Sequence, residues 1–373
     1  MIPLNVSKKE ITAFLLARSF LYNNSPDINH VLESLSCIQV DPIQVVGKSH
    51  EIALWNRIDN ISRKEIDSQL YKQRNLFEYW LQLYSIIPVK FFPFLKIRMN
   101  ISGSWQEEYY KKHRSEVDDV LEYVREFGPT KSSDLSHLNA GTSLHNWGKA
   151  KLSHKALLEF LWDRGQLVIH SRESNNKIYD LVERYIPNQI LKEEVTEKES
   201  IKFIIKSQFK YLEIFRKSFL SNRIGYSKFE ISTIFKEMLE EGEIIELKIQ
   251  DVKRKYYILV EDLTHLEKSL KNSFDGIKLL SPLDPLVIDR TLLEDIFEFY
   301  YRWEAYVPKS KRKIGPYGMP IIKDGEFIGQ VQFEKSNNYK LSIRKMVLKN
   351  NSLILKSEIN AVGLDLSNFL QSY

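Results

Sequence analysis

Apolar residues recur along this chain with two different periods, and the changes of period divide it into segments. Near the N-terminus Ile11, Phe14, Leu15, Arg18 and Leu21 mark a helix with one apolar face. Ser25-Pro26-Asp27 is expected to stop it and cap a second helix that buries Ile28, Val31, Leu32 and Leu35. A short extended stretch from Ser36 to Gln44 follows, in which Pro42 can take the first position of a helix. That helix would run through Val45, Val46, Ser49, His50 and Ala53 to Trp55. Leu76 to Leu81 is dense in aromatic residues, and Ile87-Pro88 breaks the chain before Phe91-Phe92-Pro93-Phe94-Leu95.

Two later segments share one plan. In the first, Val117, Val120, Leu121 and Val124 give a helix ended by Gly128-Pro129. Thr130 to Leu135 is expected to start a short second helix, and Ala156, Leu157, Phe160 and Leu161 form a third. After Gly165, Gln166 to His170 and Lys177 to Leu181 flank the turn-forming residues Ser171 to Asn176, as two strands of a hairpin do. Three helices and a hairpin wing make a winged helix, a relative of the helix-turn-helix. The plan repeats after the charged spacer Lys192 to Ser200. One apolar face, of one helix or two, runs from Ile201 to Phe219, and an amphipathic helix from Ser227 to Glu241 is ended by Gly242. Glu243 to Lys248 then pairs with Lys255 to Leu259. From about Asp275 the period shortens. Asp324-Gly325 is a two-residue hairpin signal between Met319 to Ile322 and Phe327 to Phe333, Tyr339, Leu341 and Ile343 alternate, and Ile359, Val362, Leu366 and Phe369 predict a closing helix.

The expected architecture is α+β: tandem winged-helix (helix-turn-helix plus wing) units followed by a small C-terminal β domain, barrel-like and closed by a helix. The boundaries are 1–110 for a first, degenerate unit, 115–190 and 195–270 for the second and third, and 275–373 for the β domain. With 373 residues, 43% apolar and 28% charged, the chain can build several compact cores. No apolar run reaches the roughly 18 residues of a membrane helix. Met1 to Ser7 carries neither a basic leader nor a signal-type run, and Cys37 stands alone. The expectation is a cytoplasmic protein without disulfides. The eight histidines are scattered at no metal-ligand spacing, so neither a metal nor another cofactor is expected. A net charge of +5 says little by itself; its unevenness says more. Lys309-Ser310-Lys311-Arg312-Lys313 holds no acid, whereas Glu237 to Glu246 is acid-rich, the pattern of a protein that meets phosphate on one side and water on the other.

Within the extended stretch, Gln39 and Asp41 are two residues apart. In a strand such residues point the same way, so an amide and a carboxylate would converge while Ile38 and Val40 turn inward. Such a pair can hold and polarise a water. From spacing alone the commoner reading is a turn aspartate and a surface amide.

Several motifs, in this order and spacing, resemble the AlkZ/YcaQ family of winged-helix DNA glycosylases over nearly the whole chain. They are Ile38-Gln39-Val40-Asp41-Pro42-Ile43 with Lys48-Ser49-His50, and Leu76-Phe77-Glu78-Tyr79-Trp80 ahead of Ile87-Pro88 and Arg98-Met99. Gly128-Pro129, Leu280 to Val287 with Asp289-Arg290, and Tyr301 to Pro308 running into Lys311-Arg312 complete the set. The resemblance implies tandem winged helices around a concave DNA surface and excision of N7-alkylated purines. In the Gln-apolar-Asp branch, matched here by Gln39-Val40-Asp41, it also implies unhooking of interstrand crosslinks. Gly47 and Lys48, and Gly315-Pro316-Tyr317-Gly318, depart from the family pattern, which there has a bulkier basic residue and a tyrosine-rich turn.

On this reading Asp41 steadies an oxocarbenium-like sugar and takes a proton from the water that Gln39 orients. A cationic alkylpurine leaves without a general acid, and the absence of a lysine from the motif favours a monofunctional hydrolase over Schiff-base chemistry. Lys48, His50, Arg57, Tyr79, Trp80, Lys309, Lys311, Arg312 and Lys313 are candidate contacts to double-stranded DNA, the two aromatics by stacking and the cations through phosphate. Phe77 is expected in the core. A bulky or crosslinked lesion fits an enclosed pocket poorly, so the damaged nucleotide is expected to stay largely stacked. The partner is duplex DNA with alkylated or crosslinked bases, bound by a nucleoid-associated monomer that uses no membrane and no nucleotide cofactor. The competing readings are a non-catalytic winged-helix DNA-binding regulator, and a module that binds protein.

Overall fold

The computed structural model describes residues 2–372 apart from 23, 24, 26, 42, 82, 101–107, 109, 139–141, 146, 147, 152, 220–225, 339 and 350–352. Expectations that fall on Pro42 and Tyr339 lie outside the described residues.

Strand β1 (Leu4–Val6) leads into α1 (Lys8–Arg18), started by a reciprocal cap in which Ser7 accepts from the Glu10 amide and the Glu10 carboxylate accepts from the Ser7 amide. Asp27 caps α2 (Ile28–Leu35) through the Asn29 amide, as its place before the apolar face predicts. Strand β2 is only Ile38–Gln39, and α3 covers Ser49–Trp55, so the helix expected to run through Val45 and Val46 begins only at Ser49; Val45 to Gly47 are irregular. After α4 (Arg63–Asp67), β3 (Leu76–Trp80) and β4 (Tyr84–Pro88) form an antiparallel hairpin that β2 joins, in the order β2-β4-β3. Helix α5 (Phe92–Asn100) closes this part.

The second part contains α6 (Arg114–Phe127), the short hairpin β5 (Thr142–His145) and β6 (Gly148–Lys151), α7 (His154–Asp163), and the hairpin β7 (Leu167–Glu173) and β8 (Asn176–Leu181). Residues 132–137 make turns where a short helix was expected, and the β5–β6 hairpin had no expected counterpart. Short helices α8 (Val182–Tyr185) and α9 (Asn188–Leu191) lead to the third part. There α10 (Glu197–Leu212) and α11 (Lys228–Glu240), each with a reciprocal Thr or Ser to Glu cap, precede β9 (Ile244–Ile249), β10 (Tyr256–Leu259) and α12 (Leu263–Ser269). A lone antiparallel bridge crosses to each hairpin, Thr130 to Tyr179 in the second part and Phe215 to Tyr257 in the third.

The last part runs β11 (Ile277–Leu279), α13 (Pro285–Ile288), α14 (Arg290–Phe297), β12 (Met319–Lys323), β13 (Glu326–Lys335), β14 (Leu341–Leu348) and α15 (Leu353–Gln371). Asp324 and Gly325 both have positive φ, 47° and 85°, the geometry of the tight hairpin their pairing predicts. The four strands form an antiparallel sheet in sequence order with β11 and β14 at its edges. This corrects the barrel expectation: the sheet is open, and α15 packs against it.

Strand β1 does not belong to the unit the sequence assigned it to. It pairs in parallel with β9, Leu4 opposite Leu247 and Val6 opposite Ile249, and α1 packs on α12 and α14. The chain therefore ties its beginning to its third part, and one buried cluster joins Phe14 and Leu15 with Leu247, Tyr256, Leu293 and Phe327. A second cluster joins α2 and α3 to the C-terminal sheet and α15 through Leu35, Ile52, Val331 and Leu370. Among the described residues no helix is long and apolar enough to cross a membrane.

Candidate functional site

Strand register decides which side chains meet. Ile38 lies opposite Ile86, and Ile86 opposite Glu78; one step along, Gln39 lies opposite Ser85 and Ser85 opposite Tyr79. Successive residues of a strand face opposite sides, so Glu78, Ile86, Tyr84 and Trp80 share one face while Gln39, Ser85 and Tyr79 share the other. The first face lines a cavity of about 360 Å³, together with Val40, Asp41, Lys48 and His50 from the following segment and Arg172, Asn175 and Lys177 from the β7–β8 hairpin. The second face packs into the core with Phe77 and Ile87.

Of the two expected catalytic residues, Asp41 lines this cavity and Gln39 does not. The two-residue rule holds only while the strand continues, and β2 ends at Gln39. Val40, expected to turn inward, lines the cavity beside Asp41. Gln39 is 9% exposed, and its Oε1 is buried without a hydrogen-bond partner. The Asp41 carboxylate accepts the Ile43 amide at 2.6 Å, a local turn. Burial pushes its pKa above the ordinary aspartate value, and that single amide only partly offsets the effect.

The opposite wall is a buried network around Glu78. Arg172 donates to both its oxygens, Nε to Oε1 at 2.9 Å and Nη2 to Oε2 at 2.6 Å. Tyr71 donates to Oε1 at 2.7 Å, and Tyr84 donates to Oε2. Burial works against ionisation here, yet Arg172 and the two phenols outweigh it and hold the Glu78 carboxyl down at about 2. Lys177 lies over the rings of Trp162 and Tyr84, and Gln44 donates to Asn175 at 3.0 Å, linking the segment after Asp41 to the hairpin tip. His50 is buried with Nδ1 unpaired. Burial and the neighbouring Lys48 push its pKa down to about 3, so it is a neutral imidazole at physiological pH.

The cavity continues into an open cleft of about 730 Å³ that shares Gln44, Lys48, Tyr71, Arg172 and Asn175 with it and extends to Arg63, Asn338 and Gln371. Lys48 stands at the junction, paired with the buried Glu51 at 3.3 Å. Gly47 explains one departure from the family pattern: a Cβ there would meet Leu370 Cδ2 at 2.5 Å, so any side chain would push on α15. Among the described residues no group of three or more His, Cys, Asp or Glu side chains is placed to hold a metal ion.

Two expected DNA contacts are corrected. Tyr79 is 3% exposed, donates to the Asp163 carbonyl and packs edge-on against Trp162, whereas Trp80, at 36%, keeps an open face. Arg57 is fully buried and makes a bidentate pair with the equally buried Asp284, both bonds 2.7 Å. Arg57→Met is therefore expected to cost about 3–5 kcal/mol of stability by stranding a buried charge, with the salt dependence of DNA binding unchanged; urea unfolding and a salt titration check the two halves. Phe77 is buried, as expected. Lys309, Lys311 and Lys313 are exposed, away from the cavity lining, while Arg312 spends donors on the carbonyls of Val307 at 2.7 Å and Ala305 at 3.1 Å. Glu304 completes that loop by accepting the amides of Lys313, Ile314 and Gly315.

Sequence reading missed the roles of Glu78, Tyr84, Arg172 and Lys177. Glu78 was detectable as a carboxylate inside an apolar strand. Arg172 and Lys177 were not, because nothing local says which strand a hairpin about ninety residues away will cover.

The fold and cavity together define an α+β protein in which the segment after β2 and the later β7–β8 hairpin line one cavity. The chain belongs to the AlkZ-like DNA glycosylase family, whose model, described as DNA glycosylase AlkZ-like, matches residues 32–368. Its fold is similar to that of the solved Streptomyces sahachiroi DNA glycosylase AlkZ, with a TM-score of 0.67 and 17% identity over 99% of this chain and 97% of that one.

Proposed function

We propose that this DNA glycosylase hydrolyses the N-glycosidic bond of N7-alkylated purines in duplex DNA, with Asp41 as the base that readies water and steadies the cationic sugar. The observation that carries this reading is a half-buried carboxylate, held by one local amide, in a cavity with few groups able to protonate a leaving base. His50 is neutral, Glu78 is ionised, and Tyr71 and Tyr84 have phenols pushed well above the ordinary range by burial and by Glu78. A purine that is already cationic needs no acid, which matches the substrate class. Trp80 offers an exposed ring on which such a base can stack. Gln39 is not among the residues that line the cavity, so Asp41 carries the reading alone.

The open cleft supports a wider activity on crosslinks. A bulky adduct or a second strand can extend from the cavity toward Arg63 and Asn338, so the lesion need not be swallowed whole. The exposed lysines Lys309, Lys311 and Lys313, on the loop that precedes β12 in the C-terminal part, are the proposed phosphate contacts and complete the reading. The test is incubation with N7-methylguanine DNA, unmodified DNA and a crosslinked duplex, followed by alkaline cleavage of abasic sites. Release of the methylated base with none from unmodified DNA is expected. Tight binding without base release would point to a non-catalytic DNA-binding protein instead.

A further inference from the structure

The cavity holds an amine that water-driven base release does not use. Lys177 sits on β8, its side chain 19% exposed, with Nζ 4.3 Å from the centre of the Trp162 ring and 4.9 Å from that of Tyr84. The Glu159 carboxylate that faces it is 3.9 Å away, too far for a hydrogen bond. The other lysine of the cavity, Lys48, is ion-paired with Glu51 at 3.3 Å. Burial lowers the Lys177 pKa, Arg172 and Lys155 add to that, and Glu159 and Glu78 pull the other way. Burial and the two cations thus favour the neutral amine, against the attraction of the two ring faces for an ammonium. A lysine resting on apolar rings, inside the cavity that contains the candidate base, is placed as imine-forming lysines are.

We propose that Lys177 gives this protein a second activity, β-elimination at the abasic deoxyribose formed in the cavity. The proposal rests on the reading that base release happens at Asp41. In the ring-opened abasic sugar C1′ is an aldehyde. The Lys177 amine adds to it and one water leaves, forming a protonated imine between Nζ and C1′. A carboxylate, Asp41, removes a proton from C2′; the freed electron pair forms a carbon-carbon double bond, and the C3′–O bond breaks, expelling the 3′ phosphate with its strand. Water then hydrolyses the imine and returns the amine. No oxidant or reductant enters. This departs from the expectation, drawn from a motif without lysine, of hydrolysis alone; the lysine arrives from a separate hairpin.

The experiment uses the full chain and duplex DNA carrying a preformed abasic site, so that it does not depend on base release. Sodium borohydride reduces an imine to a stable amine. The wild-type protein is expected to give a covalent protein–DNA adduct, mapped by peptide mass spectrometry to Lys177. In Lys177→Arg, which keeps the positive charge but forms no such imine, the adduct is expected to fall to the level without enzyme, while a thermal melt shows the fold intact. Absence of an adduct with the wild type, or an adduct on another amine that persists in Lys177→Arg, overturns the proposal. N7-methylguanine release is measured on the same preparation. Release without adduct sinks the lyase alone, whereas adduct without release sinks the hydrolytic reading and leaves the amine chemistry standing.

Discussion

Asp41→Asn lowers single-turnover release of N7-methylguanine by about 10²–10⁴-fold, and does so without loss of fold or of DNA affinity. Asparagine can still accept the Ile43 amide through its side-chain oxygen, so the turn survives. It cannot take a proton or balance a positive sugar. The stability outcome has a definite sign. An acid whose folded pKa is raised contributes stability below its unfolded pKa and loses it as pH rises through the folded value. At neutral pH the wild-type carboxylate is therefore a burden on the fold, and Asp41→Asn is expected to melt at the same temperature or higher. Lost activity with retained stability is the signature of a residue kept for chemistry. The same shift sets the pH profile. Activity falls on the acid side as Asp41 protonates, at a pH above the ordinary aspartate value of 3.8. No inflection is expected from His50 between pH 5 and 8, because it titrates near 3. A melt beside a rate profile from pH 4 to 9 checks all of this, and an Asn variant as active as wild type would remove Asp41 from the mechanism.

The second large effect is on stability. Arg172→Met leaves the buried Glu78 carboxylate with only the two phenols, and is expected to cost about 3–5 kcal/mol. Replacing both partners, Glu78→Met with Arg172→Met, should recover much of that loss, since no buried charge remains unpaired. Urea unfolding of the two single variants and the double variant closes the cycle. The pH dependence follows from the depressed Glu78 value. Its contribution is present above the unfolded pKa near 4.5 and is lost as pH falls through the folded value of about 2, so the gap between wild type and Arg172→Met should narrow only in that acid window. Both single variants should also release base poorly, because the pair holds the hairpin that roofs the cavity.

Legibility in the sequence followed distance along the chain. Helices read from apolar spacing, such as Lys228–Glu240 and Ile28–Leu35, were found nearly to the residue because caps and periodicity are local. The Asp324-Gly325 turn was equally plain. What escaped was decided by partners remote in sequence. Where β1 would pair is not written in Leu4 to Val6, since a three-residue strand fits many edges. The burial of Arg57 depended on Asp284, more than two hundred residues later. In the site, Asp41 was singled out by the resemblance of its motif; from spacing alone the commoner reading was a turn aspartate, and its carboxylate does accept the Ile43 amide in a local turn. The expected convergence of Gln39 with it failed, because the idealised alternation assumed a strand longer than two residues. Lys48 and His50 came along as neighbours of the motif, whereas Glu78, Arg172 and Lys177 needed the sheet register and the docking of a hairpin.

The parallel pairing of β1 with β9 bears on how the chain is made. Residues 4–6 leave the ribosome well ahead of their partners, and the edge they complete does not exist until residues past 249 have emerged. During most of synthesis α1 must hold an unpartnered apolar face, including Ile11, Phe14 and Leu15, that later finds α12 and α14. The segment that carries α1 is thus obliged to wait for its partners, and it offers a chaperone a long opportunity to bind.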